Sequence, residues 1–309
     1  MAITVGIAGI TGKFARELAS ALLKYPDVTI KGYCRDPAKV PETLSSKVQL
    51  TKGDAFDTSA IRSFVAACDV VVCCYLGDGK LMVDGQKALI DACAEEGVPR
   101  YVASDWSLDY TKLKLGELFP KDPMIHVKAY LDAHDKVKGV HVLVGMFTEV
   151  FFSPRFGTFD AASATFKFWG TGEEVWEATT YQNAAEYTAA VCVDKDAVGV
   201  KKLVGGRATI REIAESFEKV YGVKLGLESQ GSVDELYKHM HELRQKDPQN
   251  IFSYMFLFFQ YYMINGQTFL GPENDNGKYP QVKPVTWEDY LRSVPKDQLL
   301  SAISNVGSV

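Results

Sequence analysis

The stretch Ile3-Thr4-Val5-Gly6-Ile7-Ala8-Gly9-Ile10-Thr11-Gly12-Lys13-Phe14-Ala15 decides how the rest of the chain is read. The run Ile3–Ala8, made of β-branched and small residues, predicts a strand covered on both faces. Glycines follow at 6, 9 and 12, and a helical pattern then runs from Gly12 to Tyr25. In this order of strand, glycine turn and helix, the backbone comes close to a pyrophosphate and meets it with free amides and the positive end of a helix dipole. The motif parses as GxxGxxG from Gly6 or as GxxGxxA from Gly9. Gly9, Ile10, Thr11, Gly12, Lys13 and Phe14 are therefore the candidate contacts to a dinucleotide.

Outward from this point the same rhythm repeats. Further strands are expected at Thr29–Cys34, Val48–Lys52, Val70–Tyr75, Arg100–Ala103 and Val140–Val144. Helices are expected between them at Ser59–Ala67, Asp84–Glu96 and Met124–Lys138. The uninterrupted apolar run at Val70–Tyr75 fits a strand sandwiched between two helical layers. The fold class is α/β, a Rossmann-like doubly wound parallel sheet with a smaller, mostly helical C-terminal lobe. We expect residues 1–150 to form the nucleotide-binding domain, residues 180–205 to return to it, and most of 151–309 to form a substrate-binding lobe. Asn183–Val193 reads as a helix and Lys202–Val204 as a short extended segment. Thr209–Tyr221 opens on a Thr-x-x-Glu capping box, Thr209 and Glu212. Val233–Lys246 and the aromatic segment Ile251–Ile264 complete the helices.

Composition narrows the function. The 309 residues are 47% hydrophobic and 24% charged, which excludes a disordered or fibrous chain. The net charge of −5 supplies no positive field for a nucleic-acid backbone, so no direct nucleic-acid partner is expected. Six cysteines without zinc-ligand spacing read as reduced core thiols in a cytoplasmic protein. The first residues lack a basic n-region, so no signal peptide is expected. Ile251–Ile264 is too short to span a bilayer, so no membrane association is expected either. His239-x-His241 puts its two imidazoles on different sides of a helix, and no metal is expected.

The form of the cofactor depends on the end of the second strand, Cys34-Arg35-Asp36-Pro37-Ala38-Lys39. Arg35 and Lys39 are placed to meet a 2′-phosphate, which favours NADP(H), while Asp36 is the opposing signal for a 2′-hydroxyl. Asp54 and Ala55, after the third strand, are candidates for the adenine edge, with Asp57 as a helix cap. Tyr75 and Ser104, at the ends of the next two strands, and Phe147 complete the cofactor set.

This arrangement resembles the NmrA-like and isoflavone-reductase-like branch of atypical short-chain dehydrogenases/reductases. The resemblance rests on Gly9-x-Thr11-Gly12-x-x-Ala15, Arg35, Gly53-Asp54 and Arg100-Tyr101-Val102-Ala103-Ser104-Asp105-Trp106. It extends to Lys128, to Val140–Phe147, to the Thr-x-x-Glu helix and to Val285–Leu291. It implies an NADP(H)-binding Rossmann domain, a covering C-terminal lobe, and Lys128 as the catalytic lysine or a ribose contact. Two positions depart from the pattern. Ser104-Asp105-Trp106-Ser107 stands where the reductases read Ser-Glu-Phe-Gly, and Ala15 stands at the third glycine.

Hydride transfer requires a group that stabilises or protonates the developing anion, and Lys128 is the candidate. Asp105, Trp106, Phe151, Tyr254 and Phe258 are the candidate substrate contacts, the aromatic ones forming a wall if the lobe closes over the sheet edge. Their spacing also fits plain core. A literal Tyr-x-x-x-Lys at Tyr110–Lys114 follows Ser104 too closely for the usual dehydrogenase geometry and reads as coincidence. The expected activity is NADPH-dependent reduction of a hydrophobic, aromatic small-molecule carbonyl or enone. The alternatives are an NADP-binding redox sensor that acts through a protein partner and a non-redox isomerase or lyase. Oligomeric state is not legible from the sequence.

Overall fold

The computed structural model describes residues 2–300. Seven strands form one wholly parallel sheet: β1 (Ile3–Ala8), β2 (Val28–Cys34), β3 (Gln49–Lys52), β4 (Val70–Cys73), β5 (Arg100–Val102), β6 (Lys138–Leu143) and β11 (Gly199–Lys202). Their order is β11-β6-β5-β4-β1-β2-β3. The direction of winding reverses between β1 and β4, which opens a crevice at the carboxyl ends of these two strands. Val5, Ile7, Val70, Val71, Val72 and Val102 are fully buried, as expected for strands covered on both sides.

Each face of the sheet has its own helical layer. On one face lie α1 (Lys13–Leu22) and α7 (Tyr181–Val193), packed against each other over Val5, Ile7, Val72 and Val140. The other face carries α3 (Thr58–Val65), α4 (Gln86–Glu96) and α5 (Asp122–Asp132) over Val71, Tyr101 and Ala103. A short helix, α2 (Glu42–Ser45), lies between β2 and β3. Arg100 at the start of β5 is buried and donates to the carbonyls of Asp194, Val191 and Cys192. Its cation thus closes the C-terminal end of α7, where free carbonyls and the negative dipole end gather.

The remaining elements build a third core. They are β7 (Met146–Phe147), α6 (Thr148–Phe151), β8 (Phe159–Asp160), β9 (Thr165–Phe168), β10 (Val175–Thr179), β12 (Gly206–Thr209), α8 (Ile210–Tyr221), β13 (Gly226–Ser229), α9 (Val233–Lys246), α10 (Met255–Ile264) and α11 (Trp287–Ser293). The small strands form two three-stranded sheets, β12-β10-β7 and β13-β9-β8. The capping boxes of α8 (Thr209 with Glu212), α9 (Ser232 with Glu235) and α11 (Thr286 with Asp289) are all closed. Apolar on every side, α10 lies between two cores. Tyr254, Phe258 and Tyr262 belong to the α3/α4/α5 core, while Phe256 and Ile264 pack into the lobe core.

Several element limits differ from the sequence reading. The helix expected over Met124–Lys138 ends at Asp132, because Lys138 already pairs with Arg100 as the first residue of β6. The helix expected from Asp84 begins with a wider π turn, Leu81–Gly85, and becomes α-helical at Gln86. The extended segment expected at Lys202–Val204 is the strand Gly199–Lys202, whose limits are set by pairing with Val140–Leu143.

Candidate functional site

The glycine turn lies at the carboxyl end of β1. Gly9 has φ 80°, and a Cβ there would stand 3.1 Å from the Cys74 carbonyl oxygen and 3.2 Å from the Tyr75 ring. Glycine is thus required where the turn passes against the end of β4. Gly12 stands at the N-cap of α1, where it makes no side-chain cap hydrogen bond. The Tyr75 ring packs against the turn, and its hydroxyl is buried with no hydrogen-bond partner among the described residues. A small-residue turn that ends on the N-terminus of a helix fits the diphosphate of a dinucleotide.

Arg35 and Lys39 are exposed at the end of β2. The Asp36 carboxylate accepts the Ala38 amide at 3.2 Å, capping the turn Pro37–Lys39. Asp54 turns back on its own loop to accept the Phe56 amide, Ala55 is buried beside it, and Asp57 caps α3 through the Ala60 amide. Ser104 is held on both of its groups. Its amide donates to Gln86 Oε1 at 3.0 Å and its hydroxyl to the Tyr75 carbonyl at 2.7 Å.

Lys13, Phe14, Trp106 and Phe147 come together at the start of α1. The Phe14 ring lies 4.1 Å from that of Trp106 and 6.0 Å from that of Phe147. Phe147 stacks on Tyr181 at 3.9 Å, and Lys13 Nζ stands 4.8 Å over Tyr181. Tyr181 was not foreseen as part of this group. Trp106 has φ 31°, a strained value for a bulky residue, and its indole donates to Thr188 Oγ1. This bend separates two neighbours: Trp106 turns toward α1 and α7, and Asp105 toward α5. Trp106 is therefore part of the layer beneath the glycine turn.

Asp105 lies in a buried polar cluster. His141 Nδ1 is 2.7 Å from Asp105 Oδ2, the Tyr110 hydroxyl is 3.1 Å from the same oxygen, and Tyr110 and His141 are themselves 3.1 Å apart. Lys121, immediately before α5, is only 9% exposed. Burial lowers its ammonium to about 8, against the pull of the Asp105 charge. Its Nζ lies 5.2 Å over the Phe259 ring of α10.

The position of Lys121 follows from topology. In a parallel crossover, α5 descends from the carboxyl edge of the sheet to its amino edge, so its first residue lies at the edge where ligands bind. Lys128 lies seven residues further down, about 10 Å along the axis. There it pairs with Asp132 at 2.6 Å, with its side chain 25% exposed. Sequence reasoning missed Lys121, His141 and the Tyr110 half of the Tyr-x-x-x-Lys pattern, whose Lys114 is exposed. The available signal was Pro120-Lys121-Asp122-Pro123, two prolines marking the top of the helix.

The aromatic candidates divide between cores. Tyr254 and Phe258 pack on Phe119 at 5.8 and 5.5 Å, close in sequence to Lys121, and Arg244 lies over Phe119 and Phe258. Phe151 is fully buried in the lobe core against Phe166, Trp176 and Trp287. It shares no wall with the other two. A cleft of about 850 Å³ runs outside α1 and α7, lined by Tyr25, Glu149, Lys283 and Tyr290 among others. Burial raises Glu149 there to about 7, although both of its oxygens accept the Tyr181 amide.

Residues 9–140 match the family model described as NAD(P)H-binding. The fold is shared with three solved structures: AtPrR2 with NADP+ and (+)-pinoresinol, an isoflavone reductase, and leucoanthocyanidin reductase from Vitis vinifera with NADPH. Each has a TM-score of 0.76 at 18% identity. The first two cover 95% of this chain and 99% of their own, and the third 94% and 98%. No curated protein matches the sequence. The first half of the chain is thus an NAD(P)H-binding domain of the Rossmann type. Over nearly its whole length the chain has the fold of the isoflavone-reductase-like proteins. Among the described residues no helix is long and apolar enough to cross a membrane.

Proposed function

We propose that the protein is an NADPH-dependent reductase of a hydrophobic small-molecule carbonyl or enone, with Lys121 as its proton donor. The observation that carries this reading is a buried lysine, lowered toward neutrality by burial, at the head of the helix that starts from the carboxyl edge of an NAD(P)H-binding sheet. A bound nicotinamide supplies the hydride. Lys121 holds the substrate oxygen, delivers a proton as negative charge develops there, and is reprotonated from solvent. Gly9, Ile10, Thr11, Gly12, Lys13 and Phe14 would hold the diphosphate, with Tyr75 and Phe147 flanking the dinucleotide.

Preference for NADPH rests on Arg35 and Lys39. Both are exposed cations beside a carboxylate, Asp36, that is already engaged in capping its own turn. An aromatic substrate is supported by the rings of Phe119, Phe258 and Phe259 near Lys121. Six unpaired cysteines fit a reducing compartment such as the cytoplasm.

The test is titration with NADPH and NADH, followed by a panel of aromatic aldehydes, ketones and enones monitored at the nicotinamide absorbance. Tighter NADPH binding with oxidation by a panel member supports the reductase. Tight binding without oxidation across the panel would favour a sensor, and absence of binding would overturn the assignment.

A further inference from the structure

We infer that the cleft outside α1 and α7 is a second ligand site, which takes an amine with a hydrophobic body and seats its ammonium on Glu149. The inference stands apart from the reading of Lys121. Ala21, Lys24 and Tyr25 line the cleft from the last turn of α1 and just beyond it, whereas none of Gly9 to Phe14 does. That wall lies about 15 Å down the helix from the glycine turn. The cleft is therefore not the dinucleotide crevice. Its volume of about 850 Å³ lies within the range of about 300–1,000 Å³ typical of small-molecule sites.

Tyr25, Val282, Pro284 and Val294 give the cleft apolar walls. Glu149 lines it from α6, and both of its oxygens accept the Tyr181 amide, at 3.0 and 3.2 Å. A carboxylate has about four lone-pair positions, so acceptor capacity remains beyond this one donor. Of the charges on α1, Lys13 favours the ionised form of Glu149 and Glu17 opposes it. Tyr290 of α11 lines the same cleft and stacks at 5.8 Å on Phe152, three residues beyond Glu149. Its hydroxyl is buried with no hydrogen-bond partner among the described residues.

The other charges along the cleft are matched within the protein. Lys24 pairs with Glu186 at 2.9 Å, and Asp289 accepts the Thr286 amide and hydroxyl while Lys283 acts on it. That leaves the Glu149 carboxyl for a ligand. An anion would be repelled there, and a neutral hydroxyl would gain one ordinary hydrogen bond. An ammonium brings three donors and the opposite charge. Burial raises Glu149 to about 7, and a cation binds its ionised form, so the amine gains affinity as pH rises through that value.

The test is titration calorimetry on the intact protein with 2-phenylethylamine, against 2-phenylethanol and 3-phenylpropionate as neutral and anionic probes. The amine is expected to bind in preference to both, with an affinity that rises about tenfold between pH 6 and pH 8. Glu149→Gln, which can still accept the Tyr181 amide, is expected to lower that affinity about tenfold or more at pH 8 and to abolish its pH dependence. In the unaltered protein the ¹⁵N-labelled Tyr181 amide signal is expected to shift with the amine and not with the alcohol, which tests the seat without any variant. Absence of amine binding, equal binding of the alcohol, an unmoved Tyr181 amide, or an unchanged affinity in folded Glu149→Gln overturns the proposal. The readout is independent of turnover.

Discussion

Two lysines seven residues apart, one just before α5 and one within it, differ in burial and in partners. Lys121, at the top of α5, is buried, lies against an aromatic ring and feels a buried carboxylate. Lys128, two turns down, sits at the solvent edge in an i,i+4 pair with Asp132. Such exposed pairs contribute a few tenths of a kcal/mol, because water screens both charges. Burial does the opposite at Lys121: it makes the ammonium a better acid at neutral pH and gives each nearby charge more influence. Residue type is thus a weak guide to chemistry, and depth along the helix is a strong one.

The largest expected effect tests that contrast directly. Lys121→Ala is expected to lower kcat/KM by about 100-fold or more with NADPH affinity nearly unchanged, whereas Lys128→Ala stays within about twofold. Steady-state assays and cofactor titration on both variants decide it, and the reverse ranking would return the role to Lys128. The same contrast has a pH signature. Turnover that needs the Lys121 proton falls on the alkaline side with a midpoint near 8. For stability the sign is fixed by a folded value below the unfolded one. The folded state holds fewer protons between about 8 and 10.5, so the lysine's cost is full below 8 and disappears as pH rises through that window.

Glu149 extends the comparison to acids. Its folded value is raised from 4.5 to about 7, so the folded state holds the extra proton in that interval and stability falls as pH rises through it. Glu149→Gln, which can still accept the Tyr181 amide, is expected to gain about 1–3 kcal/mol above neutrality and nothing below the unfolded value. Thermal melts at acidic and alkaline pH would show it, and an equal Tm change at both would remove burial as the cause.

A smaller effect is expected at the exposed end of β2. Arg35→Ala should weaken NADPH by about tenfold and leave NADH nearly unchanged, since a screened cation contributes about 1–2 kcal/mol to a phosphate. Equal losses for the two cofactors would remove the 2′-phosphate role. The smallest is at the partner of Lys128: Asp132→Ala is expected to change stability by no more than about 0.5 kcal/mol in chemical denaturation.

Local signals were read correctly where the physics is local. The glycine turn, the Asp57 cap and the Thr209–Glu212 box each involve residues within a few positions, and backbone sterics or one hydrogen bond decides them. The span Val233–Lys246 is the helix that its periodicity predicts. Trp106 and Phe151 were harder to place, because an aromatic pattern records apolarity without saying which of three cores it enters. Trp106 leaves its expected side through a single backbone bend at φ 31°.

The sequence by itself determined the parallel α/β sheet, the glycine turn at its carboxyl edge and the cations after β2. Each is encoded by neighbours along the chain, through strand composition, backbone freedom and charge spacing. Only the tertiary structure decided which lysine is buried, that Asp105, Tyr110 and His141 share one oxygen, and that α10 fills the space between two cores. Asp105 and His141 lie 36 positions apart and meet because β5 and β6 pair in register. Desolvation, which turns these ordinary side chains into candidates for chemistry, is a property of packing and has no local signature in the chain.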